Sequence, residues 1–120
     1  MRLQHVSIPI PADGRDRALS FYRDTLGLEE RYVPPKLDAA RFLWFRLGPP
    51  DLELHLMLTE SPPHDQRHLC VAVDDLASIR ARLEAAGVET SEATEIVGRP
   101  RFFCRDPFGN LLELAQIDSP

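Results

Sequence analysis

The chain has 120 residues and a formal net charge of −5, with 43% hydrophobic and 28% charged residues. A chain of this length buries about 65% of its unfolded surface, which is enough for a real core but not for two large domains. This composition excludes disordered, collagen-like and disulfide-scaffold classes, and the excess of acidic residues argues against nucleic-acid binding. No apolar run is long enough to span a membrane and no signal region follows Met1, so we expect a cytoplasmic protein without a membrane partner.

Helical periodicity occurs in two segments, each followed by a glycine. The first covers residues 15–26 before Gly27, and the second covers residues 76–86 before Gly87, with Asp75 as its predicted N-cap. Segments of alternating polarity predict strands around these helices. In chain order they are residues 3–8, 29–33, 41–47, 52–58, 68–73, 89–97, 101–105 and 111–116. Proline- and glycine-rich stretches separate them, and residues 59–67 have the composition of a linker.

Four landmarks recur in the same order along the chain, which indicates an internal duplication. In first-half and second-half order they are His5 and His68, Gly27 and Gly87, Arg41 and Arg101, and Glu53 and Glu113. The last three pairs are each separated by 60 residues and the first by 63, so one short insertion before the first helix accounts for the difference. We therefore predict an α+β fold of two tandem βαβββ modules, residues 1–60 and 61–120, within one compact domain.

The strands place their histidines and glutamates away from the helix-covered face, because successive strand residues point to opposite sides. In the fourth strand the even positions are all leucine, which leaves Glu53 and His55 on the other side. The same parity puts His5, His68 and Glu113 on the open side of their strands. That side is also partly apolar, which predicts a curved, half-open barrel sheet around a cavity, with the helices on its outer face.

Two imidazoles and two carboxylates on such a face suit a divalent transition metal with room for water. Any one of these residues alone is more often a solvated polar residue on a strand, so the prediction depends on their pairing by the repeat. His55 lies outside this pairing, because its repeat partner is Ala115. Three interpretations stay open for His55: contact with substrate, substitution as a ligand, or lining of the cavity wall.

A second wall of the cavity is predicted from the strands that begin with Arg-Phe. Along residues 101–105 the two arginines share one side, and because a charged side chain is costly to bury, that side faces the cavity or solvent. By the 60-residue repeat, residues 41, 43 and 45 face the same way, which places Phe42 and Trp44 in the core. Arginines there suit an anionic substrate, since a guanidinium group matches a carboxylate or phosphate. The wall candidates are His55, Phe45, Arg101, Phe103 and Arg105.

The two cysteines, Cys70 and Cys104, lie far apart in apolar segments. No C-x-x-C motif is present, so a zinc-knuckle or thioredoxin-type site has no support. We predict that both are buried free thiols.

Four stretches of the chain resemble the vicinal oxygen chelate superfamily, which includes glyoxalase I, extradiol dioxygenases, and fosfomycin- and bleomycin-resistance proteins. They are L-Q-H-V from Leu3, A-L-S-F-Y-R-D-T-L-G-L-E from Ala18, H-L-C-V-A-V-D-D-L from His68 and F-C-R-D-P-F-G-N-L-L-E-L from Phe103. The resemblance implies an open, barrel-like sheet, often completed across a homodimer with sites near the interface. It also implies one divalent metal per site, with His5, His68 and Glu113 as ligands and Glu53 as the fourth ligand of glyoxalase-like members.

This four-ligand set resembles that of glyoxalase I, which implies a lyase or isomerase of the lactoylglutathione lyase type acting on a thiol adduct. In such a site nickel, zinc, cobalt, manganese or iron binds the adjacent oxygens of a hemithioacetal and stabilises an enediolate, while Glu53 or Glu113 moves the proton. Three alternatives stay open: an iron-dependent extradiol-type dioxygenase, a thiol transferase, and a non-catalytic drug- or metabolite-binding protein of the bleomycin-resistance type. The metal content of the purified protein distinguishes the non-catalytic binding protein, which needs no metal, from the enzymes.

Overall fold

The computed structural model describes residues 3–60, 68–95 and 97–116, so most of the expected linker, residues 61–67, lies outside the described residues. The chain divides into two compact units, residues 1–63 and 64–120. In order, the elements are β1 (His5–Pro11), α1 (Arg15–Ala18) continued by a π-helix (Leu19–Thr25), β2 (Glu29–Arg31), a 3₁₀ turn (Ala39–Arg41), β3 (Phe42–Gly48), β4 (Leu52–Thr59), β5 (His68–Ala72), α2 (Leu76–Ala85), β6 (Thr90–Glu92), β7 (Arg101–Arg105) and β8 (Leu111–Ala115). Within the described ranges, no helix has the length and apolar character needed to cross a membrane.

Each unit contains one open four-stranded sheet, and the two sheets have the same topology. The strand order is β1-β4-β3-β2 in the first unit and β5-β8-β7-β6 in the second. In each sheet the first and last strands of the unit pair in parallel, and the remaining neighbours are antiparallel. The predicted α+β fold of two βαβββ modules with half-open sheets is therefore confirmed.

The core of the first unit lies between its sheet and the helix that follows β1. Leu54, Leu56 and Leu58 of β4 are buried, as the alternation of that strand predicts. Phe45 of β3 is fully buried as well, and its ring centroid lies 5.7 Å from that of Tyr22 in the π-helix. The helix therefore covers the leucine face of the sheet, which leaves the other face, here called the open face, to the polar residues.

The core of the second unit has the same arrangement under α2. Its buried residues include Phe102 of β7, Leu112 and Leu114 of β8, and Leu83 of α2, each of which is at most 1% exposed. The Arg80 guanidinium of α2 lies 5.1 Å from the centre of the Phe102 ring, so its aliphatic stem and charge cover the core at this edge. Each helix thus covers the face of its own sheet that lies opposite the open face.

The first helix differs from the prediction in its winding. It is α-helical only through Ala18 and continues as a π-helix, in which the amide of Leu26 donates to the carbonyl of Phe21, five residues earlier, at 2.9 Å. Phe21 and the adjacent Tyr22 are both buried, and they follow the buried Ala18 at the i, i+3, i+4 spacing of an apolar helix face. The apolar spacing of the sequence does not distinguish this turn from an α-helix.

The second helix agrees with the prediction at both ends. The Asp75 carboxylate accepts a hydrogen bond from the Ser78 amide at 3.0 Å and so caps the first turn. The helix ends before Gly87, whose φ of 81° lies in the left-handed region that glycine adopts at helix C-termini.

The predicted faces of β3 are wrong. Leu43 and Phe45, expected on the cavity side, are buried at 1% and 0% exposure, so Phe45 belongs to the core and not to a cavity wall. Trp44, expected in the core, lies on the open face beside His55, and Phe42 is only half-buried.

The reason for this reversal is a difference in strand register between the units. Phe45 pairs with Leu54 across β3 and β4, and Phe102 pairs with Leu114 across β7 and β8. Phe45 is therefore the equivalent of Phe102, and Phe42 is not, although Phe42 lies 60 residues before it. The sequence separation of these paired residues is three residues shorter in the first unit than in the second. Because this difference is an odd number, it exchanges the two faces of the strand.

Candidate functional site

The open face of the first unit carries a stack of three aromatic rings. Trp44 and His55 are Cα partners across β3 and β4, and their rings lie parallel with centroids 3.8 Å apart and 3° between the planes. The His5 ring of β1 stacks on the other side of His55 at 4.3 Å and 15°. His55 is therefore held between an indole and a second imidazole, and it is only 8% exposed.

Glu53 lies next to this stack and receives its main contact from His55. The His55 Nε2 atom lies 3.0 Å from Oε1 of the carboxylate, while Arg31 Nε is 3.8 Å from Oε2. Burial lowers the pKa of His55 below its usual value of 6.5, against the opposing effect of the hydrogen bond to Glu53. At neutral pH His55 is therefore a neutral imidazole that donates its Nε2–H to Glu53.

Gln4 fixes the orientation of His5. The Gln4 amide nitrogen donates to the backbone carbonyl of Asp51 at 2.9 Å, so the amide oxygen is the atom 2.7 Å from His5 Nδ1. Because an amide oxygen only accepts, His5 Nδ1 carries the hydrogen, and Nε2 keeps a free lone pair in the neutral ring. Metal-binding histidines commonly have their second nitrogen held in this way.

The open face of the second unit is built around the carboxylate of Glu113. Its side chain is only 8% exposed, and Arg101 Nη1 donates to Oε1 at 3.2 Å. His68 Nε2 lies 3.6 Å from the same oxygen, and the Cys70 thiol donates to Oε2 at 3.3 Å. Arg101 is held from its other side, because Nη2 donates to the Thr94 carbonyl at 2.8 Å. Both oxygens of this carboxylate therefore have donors.

The two cysteines differ in position. Cys104 is buried in the core as predicted, whereas Cys70 is exposed on the open face, so its predicted burial is wrong. Both are free. The pKa of the Cys70 thiol is raised to about 11, by loss of hydration at the sulfur first and by the adjacent Glu113 carboxylate second. Cys70 therefore stays protonated and acts as a donor to Glu113. In strand register it pairs with Glu113 as His5 pairs with Glu53.

The other wall candidates have defined places. Phe103 lies on the open face of β7, as predicted, with its ring centre 5.5 Å from the Arg101 guanidinium and 6.0 Å from the His68 ring. Arg105 is exposed, and its Nη1 donates to the Gly109 carbonyl at 2.8 Å, which closes the turn between β7 and β8. Arg101 is mostly buried, with a side-chain exposure of 15%.

The residues predicted as metal ligands fit a divalent ion by their chemistry. Two donors bound to one ion at about 2.1 Å lie roughly 3 Å apart, and the 3.6 Å between His68 Nε2 and Glu113 Oε1 is close to that separation. The free lone pair of His5 Nε2 fits as well. In the part of the chain that the structure describes, no group of three or more His, Cys, Asp or Glu side chains is placed to hold an ion. Each unit by itself therefore offers imidazole and carboxylate donors in pairs.

Three residues of these faces are missing from the sequence-based candidates. For Trp44, the 60-residue repeat predicts a core position, because the register of β3 is not visible in the sequence. Cys70 carries a usable signal, since its parity in β5 matches that of His68. Gln4 gives no signal, because its role depends on the amide orientation that Asp51 imposes.

Comparison with protein families gives a match over almost the whole chain. The model of the Glyoxalase/Bleomycin resistance protein/Dioxygenase superfamily matches residues 2–114. No curated protein matches the sequence at a significant level.

Solved structures with the same fold come from several bacteria. A glyoxalase family protein from Bacillus anthracis is 26% identical, with a TM-score of 0.90 over 98% of this chain and 96% of that one. A lactoylglutathione lyase from Agrobacterium tumefaciens is 25% identical, with a TM-score of 0.72 over 96% and 92%. TnmS3, an antibiotic binding protein from Streptomyces sp. CB03234, is 24% identical, with a TM-score of 0.79 over 98% and 97%. The last of these shows likeness of fold alone.

Proposed function

Since this chain belongs to the Glyoxalase/Bleomycin resistance protein/Dioxygenase superfamily, we propose that it is a divalent-metal-dependent enzyme acting on a small molecule with two adjacent oxygens. The reaction we propose is isomerisation of a thiol hemithioacetal, as in a lactoylglutathione lyase. The superfamily includes both enzymes and binding proteins, so the choice between these classes depends on the open faces of the two sheets. We also propose that the protein is a homodimer and that it is cytoplasmic. Light scattering of the purified protein tests the oligomeric state.

The observation that carries the proposal is that each sheet presents imidazole and carboxylate donors on its open face. His5 and Glu53 are Cα partners across β1 and β4. His68 Nε2 lies 3.6 Å from Glu113 Oε1 in the second unit. We propose these four side chains as the metal ligands, because nitrogen and oxygen donors of this kind suit nickel, zinc, cobalt, manganese and iron alike.

A divalent ion, when bound, would supply Lewis-acid stabilisation of negative charge on the two substrate oxygens. Glu53 is the residue we propose to take the proton from carbon and return it to the neighbouring carbon. Its Oε2 has only a 3.8 Å contact with Arg31, whereas both oxygens of Glu113 already have donors within 3.3 Å. The neutral His55, donating to Oε1, orients the Glu53 carboxylate for this task.

Metal content and turnover of the purified protein test this function. Elemental analysis should find about one equivalent of a divalent ion after loading, and the loaded protein should isomerise the hemithioacetal of methylglyoxal and glutathione. His5→Ala and His68→Ala should each lose bound metal and turnover, because each removes a nitrogen donor. Glu89→Gln is the matched control, since Glu89 is exposed and lies on neither open face.

Turnover that is absent with nickel, cobalt and zinc would reject the isomerase. A protein that neither retains metal nor melts at a higher temperature with added metal would reject the metal-dependent class as a whole.

A second candidate, a non-catalytic binding protein for a flat small molecule, is favoured by one observation. Among the described residues, the indole nitrogen of Trp44 is the buried side-chain donor without a hydrogen-bond partner. Such a group is costly unless a ligand or water accepts from it. Quenching of the single tryptophan by planar aromatic compounds, in protein that binds no metal, would support this candidate.

A further inference from the structure

Arg101 makes an unusual contact for a residue beside a proposed metal ligand. Its Nη1 donates to Oε1 of Glu113 at 3.2 Å, and this is the oxygen that lies nearest His68 Nε2. The pair is mostly shielded from water, with side-chain exposures of 15% for Arg101 and 8% for Glu113. A guanidinium group stays charged at all physiological pH values, so it does not leave the carboxylate by losing a proton.

Among the described residues, the first unit has no cation at the equivalent place, and Arg31 Nε lies 3.8 Å from the other oxygen of Glu53. In strand register Arg101 is opposite Ala115, and the corresponding pair in the first unit is Trp44 opposite His55. There the carboxylate of Glu53 accepts from a neutral imidazole at 3.0 Å. The permanent positive charge within hydrogen-bond distance of a proposed ligand is therefore a property of the second unit.

We propose that Arg101 is a positioning residue that competes with a divalent cation for the Glu113 carboxylate and so sets how tightly the protein holds its metal. This rests on the proposed function, in which Glu113 is a ligand. For the cation to reach Oε1, the Arg101 guanidinium has to swing away from it, and its second anchor at the Thr94 carbonyl, 2.8 Å from Nη2, gives it a place to remain. Metal binding then replaces the Arg101–Glu113 ion pair, and the ion pair forms again when the metal is released.

Repulsion between the Arg101 guanidinium and the divalent ion determines whether Arg101 weakens or strengthens metal binding. A divalent ion bound at Oε1 would lie only a few ångströms from the guanidinium group, in surroundings that screen charge poorly. Neutralising residue 101 removes both this repulsion and the competing hydrogen bond. Loss of the positive charge at residue 101 should therefore tighten metal binding. If Arg101 merely held Glu113 in place for the metal, the same change would weaken metal binding.

Calorimetric titration of metal-free protein with nickel chloride, without substrate, is the test. In Arg101→Gln the nickel dissociation constant should fall about tenfold or more relative to the unchanged protein, because one buried positive charge is removed. Arg101→Lys keeps the charge and should stay within about threefold. Arg82→Gln removes an exposed charge from α2 and should stay within about twofold, because solvent screens it. Thermal melting of each variant shows that it is folded.

Each outcome separates this inference from the proposed function. Nickel binding by the unchanged protein with equal or weaker binding by Arg101→Gln would overturn the inference and leave the metal-dependent function standing. Binding by Arg101→Gln alone would support the inference and count against metal dependence of the natural chain. If neither protein binds nickel, the inference is overturned, and the metal-dependent function is overturned as well if zinc, cobalt, manganese and iron also fail to bind.

Discussion

The two units share a strand order and place a glutamate at the same point of the sheet, yet they surround that glutamate differently. Glu53 lies beside a neutral imidazole held in an aromatic stack, whereas Glu113 lies beside a permanent cation, a thiol and a second imidazole. One scaffold thus produces one carboxylate with an oxygen available to a proton and one that is hydrogen-bonded on both oxygens.

The difference follows from two facing positions, on the third and fourth strands of each unit. His55 lies opposite Trp44, and its ring fills the space next to Glu53. Ala115 takes the same place in the second unit, opposite Arg101, and its methyl group leaves room for the guanidinium to reach Glu113. The two facing pairs, Trp44 with His55 and Arg101 with Ala115, therefore decide which side chain donates to Oε1 of the neighbouring glutamate.

The largest expected effect tests the register on which this comparison is based. Phe45→Ala and Phe102→Ala should each lower the free energy of unfolding by about 4 kcal/mol, since both rings are fully buried. Phe42→Ala should cost only about 1 kcal/mol, because Phe42 is half-buried. Urea denaturation measures all three, and a greater loss for Phe42→Ala than for Phe45→Ala would contradict the register.

Removal of each carboxylate tests the electrostatic contrast. Glu113→Ala should cost about 3 kcal/mol, because it leaves the mostly buried Arg101 without its counter-ion. Glu53→Ala should cost about 1 kcal/mol, because its main partner is a neutral imidazole. The double variant of Arg101→Met with Glu113→Leu should recover much of the loss. Equal losses for the two single variants would remove the contrast.

The helices differ in how they begin. Asp75 caps α2, whereas α1 follows Gly14 with no side-chain hydrogen bond at its N-cap. Asp75→Ala should lower the unfolding free energy by about 1 kcal/mol, while Asp75→Asn should keep most of it. The urea midpoint checks both, and no change in Asp75→Ala would show that the cap adds nothing.

The smallest effect is a pH dependence that belongs to the first unit. Because burial lowers the pKa of His55 below 6.5, the unfolded chain takes up a proton before the folded one does. The stability due to neutral His55 is complete above pH 6.5 and is lost as the pH falls through the lowered value. In metal-free protein, fluorescence of the single tryptophan, Trp44, should drop in the same acid range as His55 becomes charged beside it. His55→Ala should lose this step, and a midpoint above pH 6.5 would contradict it.

The sequence predicted the order of strands and helix along each module, because helical and alternating periodicity are local patterns and the repeat shows them twice. The buried leucines of β4 and the open-face positions of His5, His55 and His68 follow from strand parity. The Asp75 cap follows from its place just before the helical segment. These features depend only on neighbours along one strand or one helical turn.

The faces of β3 and the partners of the two glutamates depend on pairing between strands. A 60-residue repeat holds for Glu53 and Glu113 but fails for β3, because the connection to the next strand has a different length in each unit. The Arg101–Glu113 pair depends on that register together with the small side chain of Ala115. Neither can be deduced from the spacing of residues in a single sequence.

The register difference between β3 and β7 also suggests how the halves of a duplicated gene product diverge. Changing the length of a turn by an odd number of residues exchanges which side chains of a whole strand meet solvent, in one genetic event. Point substitutions would need to alter every codon of the strand to achieve the same. After such a slip, an indole can occupy the place where its sister copy presents a guanidinium, while a phenylalanine stays at the equivalent core position of both copies.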